Sequence, residues 1–145
     1  MAAAYHAAPE SLAHAIPGWF DTGDVVTMDA DGYVAIVDRT KDMIVTGGFN
    51  VFPREVEDVV AACAGVLECC AIGLPDEHSG EVVKVFVVSR DATLTADAVI
   101  AHCRTQLTAY KIPRHVEFRS ELPKTNVGKI LRRALKEEAA AARKQ

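Results

Sequence analysis

Met43-Ile44-Val45-Thr46-Gly47-Gly48-Phe49-Asn50-Val51-Phe52-Pro53-Arg54-Glu55-Val56-Glu57-Asp58-Val59-Val60 changes its pattern twice within a short span. Met43 to Thr46 is a short apolar run of strand type that enters a turn at Gly47-Gly48. Pro53 suits the first turn of a helix, where its missing N–H would have no partner anyway. Behind it Val56, Val59, Val60 and Cys63 fall at the spacing of one apolar helix face. Glu55, Glu57 and Asp58 favour the positive N-terminal end of that helix. The stretch therefore reads as strand, glycine turn and amphipathic helix.

Downstream the alternation continues irregularly. A strand is expected near residues 66–74, a loop from Pro75 to Glu81 and a second strand from Val82 to Ser89. Thr95 is a good N-cap for a helix striped by Val99, Ile100, Cys103 and Leu107. A strand near 115–119 and a closing helix from about Ile130 follow. Upstream, Val25 to Met28 and Tyr33 to Val37 flank Asp29-Ala30-Asp31-Gly32, a hairpin signal carried by the Asp-Gly pair. Residues 1 to about 17 are alanine-rich and end at Pro17-Gly18, a weak helix or a lead-in. There is no internal repeat. The order predicts an α+β fold, a small antiparallel or mixed sheet of about three strands covered by helices and preceded by a two-stranded β-hairpin.

The chain has 145 residues, half of them hydrophobic and a quarter charged, which fits one globular domain and excludes a low-complexity chain. No apolar run approaches the roughly 18 residues of a membrane span. The opening Met1 to Glu10 carries neither a basic leader nor a long apolar stretch, so no signal peptide is expected and the reading is cytoplasmic. A net charge of −4 argues against a general nucleic-acid binder. That charge is uneven. From Glu121 onward Lys124, Lys129, Arg132, Arg133, Lys136, Arg143 and Lys144 outnumber Glu121, Glu137 and Glu138, whereas the residues before them are net acidic. Cys63, Cys69, Cys70 and Cys103 form no C-x-x-C pair and have no histidine at zinc-ligand spacing. They read as free, mostly buried thiols, and no metal site is expected.

Four polar segments carry chemistry, each with a plainer reading beside it. Thr22-Gly23-Asp24 sets an aspartate at a strand edge, where it can accept hydrogen bonds from a ligand's hydroxyls or merely close a turn. Asp38-Arg39-Thr40-Lys41-Asp42 is either a solvated connector or a place where Arg39 meets an anion. Gly47-Gly48 allows close approach of a ligand to the backbone and equally makes an ordinary hairpin turn. Leu122 to Ile130 invites comparison with a phosphate loop and fails it, because Pro123 stands where the first glycine belongs and Ile130 where the Ser/Thr would be. Lys129, next to Gly128, could still bring an ammonium to a phosphate. The histidines at 6, 14, 78, 102 and 115 suggest no catalysis.

In order and spacing, GWFDTGD (18–24), DRTKDMIVTGGFNVFPREVE (38–57) and LPKTNVGKILRR (122–133) together resemble the C-terminal part of the adenylate-forming acyl-CoA synthetases, most of all the long-chain fatty-acyl-CoA ligases. The resemblance runs from about Tyr5 to Glu138. It implies a two-step reaction: a carboxylic acid and Mg-ATP give an acyl-adenylate and pyrophosphate, and coenzyme A then displaces AMP to form a thioester. It implies that Asp24 and Arg39 contact the nucleotide, that Lys41 falls at the hinge, that Gly47 and Gly48 line the path of pantetheine, and that Lys129 serves adenylation. Residues 1–37 would be the tail of an N-terminal domain, 38–42 the hinge, and 43–145 a mobile lid. The partner would be the N-terminal adenylation domain of the same enzyme, holding ATP/AMP, Mg2+ and the acyl pocket. On that reading the chain alone is inactive and has no transmembrane segment, with peripheral membrane contact left open.

Two other readings stand beside this one. A stand-alone, non-catalytic α+β interaction module would keep the fold without the chemistry, and a ligase for aryl or short-chain acids would share every motif quoted. A small hydrolase or thiol enzyme has no activated Ser or Cys arrangement behind it.

Overall fold

A computed structural model describes residues 22–142, in two compact units that divide between Met43 and Ile44. The alanine-rich lead-in and residues 18–21 of the first motif lie outside the described residues.

The first unit is a hairpin of β1 (Asp24–Met28) antiparallel to β2 (Val34–Arg39), followed by a 3-10 turn at Thr40–Asp42. Asp29 fastens the hairpin turn, its Oδ1 accepting the amides of Asp31 (3.0 Å) and Tyr33 (2.9 Å). A short carboxylate closes such turns on its own backbone. β2 continues past its apolar run through Asp38 and Arg39, which leaves only Thr40 to Asp42 as a polar connector.

The second unit runs β3 (Ile44–Thr46), β4 (Phe49–Val51), α1 (Pro53–Ala61), β5 (Val66–Asp76), β6 (Gly80–Ser89), α2 (Ala96–Arg104), β7 (His115–Phe118) and α3 (Arg132–Ala142). Four strands lie in the order β4-β3-β6-β5 with antiparallel pairing, and β7 adds in parallel to β6. The α+β class and the leading hairpin are as expected. The sheet has five strands rather than the three or so anticipated; four of them fall on segments the sequence marks, and β4 spans three residues, too few for an alternation to register. The expected 75–81 loop is also shorter. Pro75 pairs with Glu81 and Asp76 with Gly80 as strand residues. Proline is tolerated there because β5 is an edge strand with β6 as its one neighbour.

Helices cover both faces of the sheet, so β5 and β6 read as near-continuous apolar runs rather than alternating ones. Alternation nonetheless sorts them. Val83, Val85 and Val87 of β6 pack with Val56 and Val60 of α1 and Val99 and Cys103 of α2. Phe86 and Val88 turn to the opposite face and pack with Cys70, Ile72, Leu122, Leu135 and Ala139. The adjacent Cys69 and Cys70 part the same way, one to each core. Thr95 caps α2 as its type predicts, accepting the Ala98 amide at 3.2 Å.

Phe86 anchors the smaller core. It is fully buried, and Lys84 Nζ and the Arg119 guanidinium each lie 4.7 Å from its ring centroid. Phe86→Ala should destabilise the domain by about 3–5 kcal/mol, the usual cost of deleting a buried aromatic side chain. Denaturant titration is the check, with a lowered midpoint at an unchanged slope.

Candidate functional site

The polar residues singled out in the sequence fall into three groups. In the first unit, Asp24 opens β1 directly opposite Arg39 at the end of β2. The Arg39 guanidinium lies 3.2 Å from Asp24 Oδ1, yet that buried oxygen accepts no hydrogen bond. A buried carboxylate oxygen without a donor is unfavourable by itself and well suited to a ligand hydroxyl. Lys41 sits in the 3-10 turn that follows.

Gly47 and Gly48 form the two-residue turn between β3 and β4, with φ of +57° and +82°. Positive φ at both central residues is the hairpin geometry whose twist matches the flanking strands. A Cβ built on either glycine meets nothing within 4 Å, so the ground beside the turn is open. The turn leans on the β5–β6 connection, where the Gly47 amide donates to the Ser79 carbonyl at 2.7 Å. That connection is ordered by Asp76, which accepts from the Ser79 hydroxyl (2.7 Å) and the amides of Ser79 (2.9 Å) and His78 (3.2 Å). The Ser79 hydroxyl and amide hold the Asp76 carboxyl down to about 2, below the usual range. A cleft of about 510 Å³ opens beside the glycine turn, with Phe49, Tyr110, Arg104 and Arg114 in its walls. The Phe49 and Tyr110 rings stack at 4.6 Å between centroids.

Lys129 lies in a projecting hairpin rather than a phosphate loop. Lys124 and Ile130 pair as an isolated antiparallel bridge. Within it the Thr125 amide donates to the Lys129 carbonyl (2.7 Å) and the Lys129 amide to Thr125 Oγ1 (3.1 Å). Lys84, Lys111 and Lys124 each hold a glutamate. The exposed Lys129 ammonium has no carboxylate partner among the described residues, and so keeps its charge available to an incoming anion. The hairpin springs from Leu122, buried in the core that Phe86 anchors, whereas the glycine-turn cleft includes Val83 of the other core. The glycine turn and Lys129 are thus rooted in opposite cores of the sheet.

Three of the four thiols are held in the protonated form by burial. Burial pushes Cys69 and Cys70 up to about 12 and Cys103 up to about 11, far from the thiolate that attack requires. Among the described residues no group of three or more His, Cys, Asp or Glu is placed to hold a metal ion.

Sequence reasoning passed over Arg104, Tyr110 and Arg114, which meet the glycine turn only through the fold. It also read Glu57 merely as a favourable charge near a helix start. Its place beside the apolar positions Val56 and Val60 was the available signal that it faces protein rather than water.

The fold and the order of these segments are those of the C-terminal domain of adenylate-forming enzymes. More particularly, the chain belongs to the AMP-binding enzyme C-terminal domain family, whose model matches residues 55–129. A long-chain-fatty-acid–CoA ligase of Yersinia pestis is 62% identical over 121 residues, which cover 83% of this chain and 22% of that protein. The structure of a Mycobacterium tuberculosis fatty acyl CoA synthetase superposes with a TM-score of 0.76 at 41% identity, covering 92% of this chain and 27% of the other. ATP-bound MatB from Rhodopseudomonas palustris gives 0.78 at 39% identity, with 82% and 24% covered. The chain spans little more than a fifth of the length of the curated relative.

Proposed function

We propose that this chain is the mobile C-terminal domain of an ATP-dependent acyl-CoA ligase acting on a long-chain fatty acid in the cytoplasm, and that it is inactive alone. One observation carries the reading: a lysine with no carboxylate partner among the described residues stands on a braced hairpin, rooted in the core opposite to that of an open glycine turn. Two half-reactions need two different active faces, and this domain has two.

In the first half-reaction a carboxylate oxygen attacks the α-phosphorus of ATP, the bond to pyrophosphate breaks, and an acyl-adenylate forms. Negative charge grows around that phosphorus, and the Lys129 ammonium stabilises it. In the second, the sulfur of coenzyme A attacks the acyl carbon and loses its proton, and AMP leaves with the electron pair of the broken C–O bond. Gly47 and Gly48 leave room for the narrow pantetheine arm, and Arg104 and Arg114 offer cations to the phosphates it trails. Asp24 and Arg39 receive the ribose hydroxyls of the nucleotide. Residues 38–42, Lys41 among them, act as the hinge that exchanges the two faces, a reading supported by the division of the compact units at Met43. Mg2+ would be held with ATP on the N-terminal adenylation domain.

The full-length protein should exchange labelled pyrophosphate into ATP in the presence of long-chain fatty acids. Exchange supported only by aryl or short-chain acids would replace the substrate class and keep the chemistry. No exchange with any acid would leave a non-catalytic module.

A further inference from the structure

Glu57 and Arg132 meet across the edge of the sheet. β5 is an edge strand, and residues of an antiparallel edge present every second amide and carbonyl outward with no neighbouring strand to receive them. At Ala71 those two groups are taken up by side chains. The Ala71 amide donates to Glu57 Oε1 at 2.8 Å, and Arg132 Nε donates to the Ala71 carbonyl at 3.2 Å. Arg132 Nη2 closes the ring by donating to the same Glu57 oxygen at 2.6 Å. The pair reproduces what a sixth strand would offer at this one residue. Its side chains are only 19% and 22% exposed, so the charges are largely withdrawn from water, where an ion pair is held by geometry more than by screening.

The position of Arg132 gives this clamp a second consequence. Arg132 starts α3, three residues after Lys129. It is the C-terminal foot of the Lys124–Ile130 hairpin, which is locked to the N-terminal side by the Leu131 amide donating to the Pro123 carbonyl at 2.7 Å. The other foot stands on the same strand through Lys124 and Glu68, at 2.5 Å, but that pair is more exposed and makes no contact with the strand's backbone among the bonds it forms. Besides Leu122 in the core, the lysine hairpin is therefore held to the sheet's edge by the Arg132 guanidinium.

We infer that Glu57 and Arg132 are positioning residues for Lys129: by docking the foot of its hairpin on the Ala71 backbone, they set where the ammonium stands during adenylation. The inference rests on the proposed role of Lys129. A misplacement of about 1 Å can cost on the order of 10²-fold in rate, so the clamp has leverage well beyond its own contribution to stability.

The experiment is a double-mutant cycle in the full-length enzyme, with both half-reactions measured separately. Glu57→Ala should lower acyl-adenylate formation about tenfold or more and leave thioester formation from supplied acyl-adenylate within about twofold. Glu57→Gln, whose amide oxygen can still accept from Ala71 and Arg132, should retain most of the activity. In a Lys129→Ala background Glu57→Ala should cost nothing further, because residues acting through one group are not additive. Arg132→Lys, which keeps the charge and loses the fork, should follow Glu57→Ala and serves as the second route where the alanine variant fails to fold. Equal loss in both half-reactions, no loss, or the same fractional loss with and without Lys129 would each overturn the inference while leaving the reading of Lys129 intact. If Lys129→Ala itself spares adenylation, that reading fails first and the inference falls with it.

Discussion

Lys129→Ala in the full-length enzyme should lower acyl-adenylate formation by about 10²–10³, the usual cost of removing one donor aimed at developing charge. Thioester formation from supplied acyl-adenylate should change little. The asymmetry follows from where the residue stands. Its hairpin is braced by hydrogen bonds on both sides and its exposed side chain holds no carboxylate among the described residues, so its loss should remove a charge without loosening the domain. A fall of equal size in both half-reactions would show that Lys129 acts through structure and would remove it from the adenylation step. Pyrophosphate exchange and single-turnover thioester formation, run on the same preparation, separate the two outcomes.

The mirror-image result is expected at the glycine turn. Gly48→Leu should depress thioester formation by about 10²-fold, as an obstruction near a reacting chain does, and leave adenylation close to its normal rate. Two effects have to be kept apart here. At φ of +82° any side chain strains the backbone, by about 1–2 kcal/mol. Only a large one also fills the open space beside the turn, where a Cβ alone meets nothing within 4 Å. Gly48→Ala shares the first effect and lacks the second. It should lower the melting temperature as Gly48→Leu does and retain most thioester formation. Equal rates for the two variants would mean that backbone conformation, not room for pantetheine, is what Gly48 provides.

On that reading the outcomes at Lys129 and Gly48 mirror each other because the two residues are rooted in different cores of one sheet. β6 divides its side chains between those cores, and the elements bearing Gly47-Gly48 and Lys129 follow that division. The hinge proposed at 38–42 then needs only to change which face is presented. Groups proposed to act on separate faces do not obstruct each other's substrates, which is a physical reason for the proposed domain movement in a two-step reaction.

Much of this was legible in the chain before any coordinates. Val56 and Val60 fix the buried side of α1 by spacing alone, Thr95 caps α2 through its own hydroxyl, and the Asp31-Gly32 pair marks the first hairpin turn. These are interactions among residues a few positions apart, and short-range stereochemistry sets them. The order of Asp24, Arg39, Gly47-Gly48 and Lys129 was likewise sufficient for the family. β4 escaped notice because three residues carry no period, and the 75–81 loop was overestimated because Pro75 is admitted by an edge strand that the sequence does not mark as an edge.

What the sequence by itself determined is most of the elements, their order and the family they belong to. The tertiary structure alone decided that Glu57 and Arg132, 75 residues apart, close on the backbone of Ala71, that Arg104 and Arg114 stand beside the glycine turn, and that Lys129 and Gly47 are rooted in opposite cores. Each of these depends on which strand lies at the sheet's edge and on which face each helix covers, and no local pattern encodes either, because both are fixed only when distant apolar faces meet.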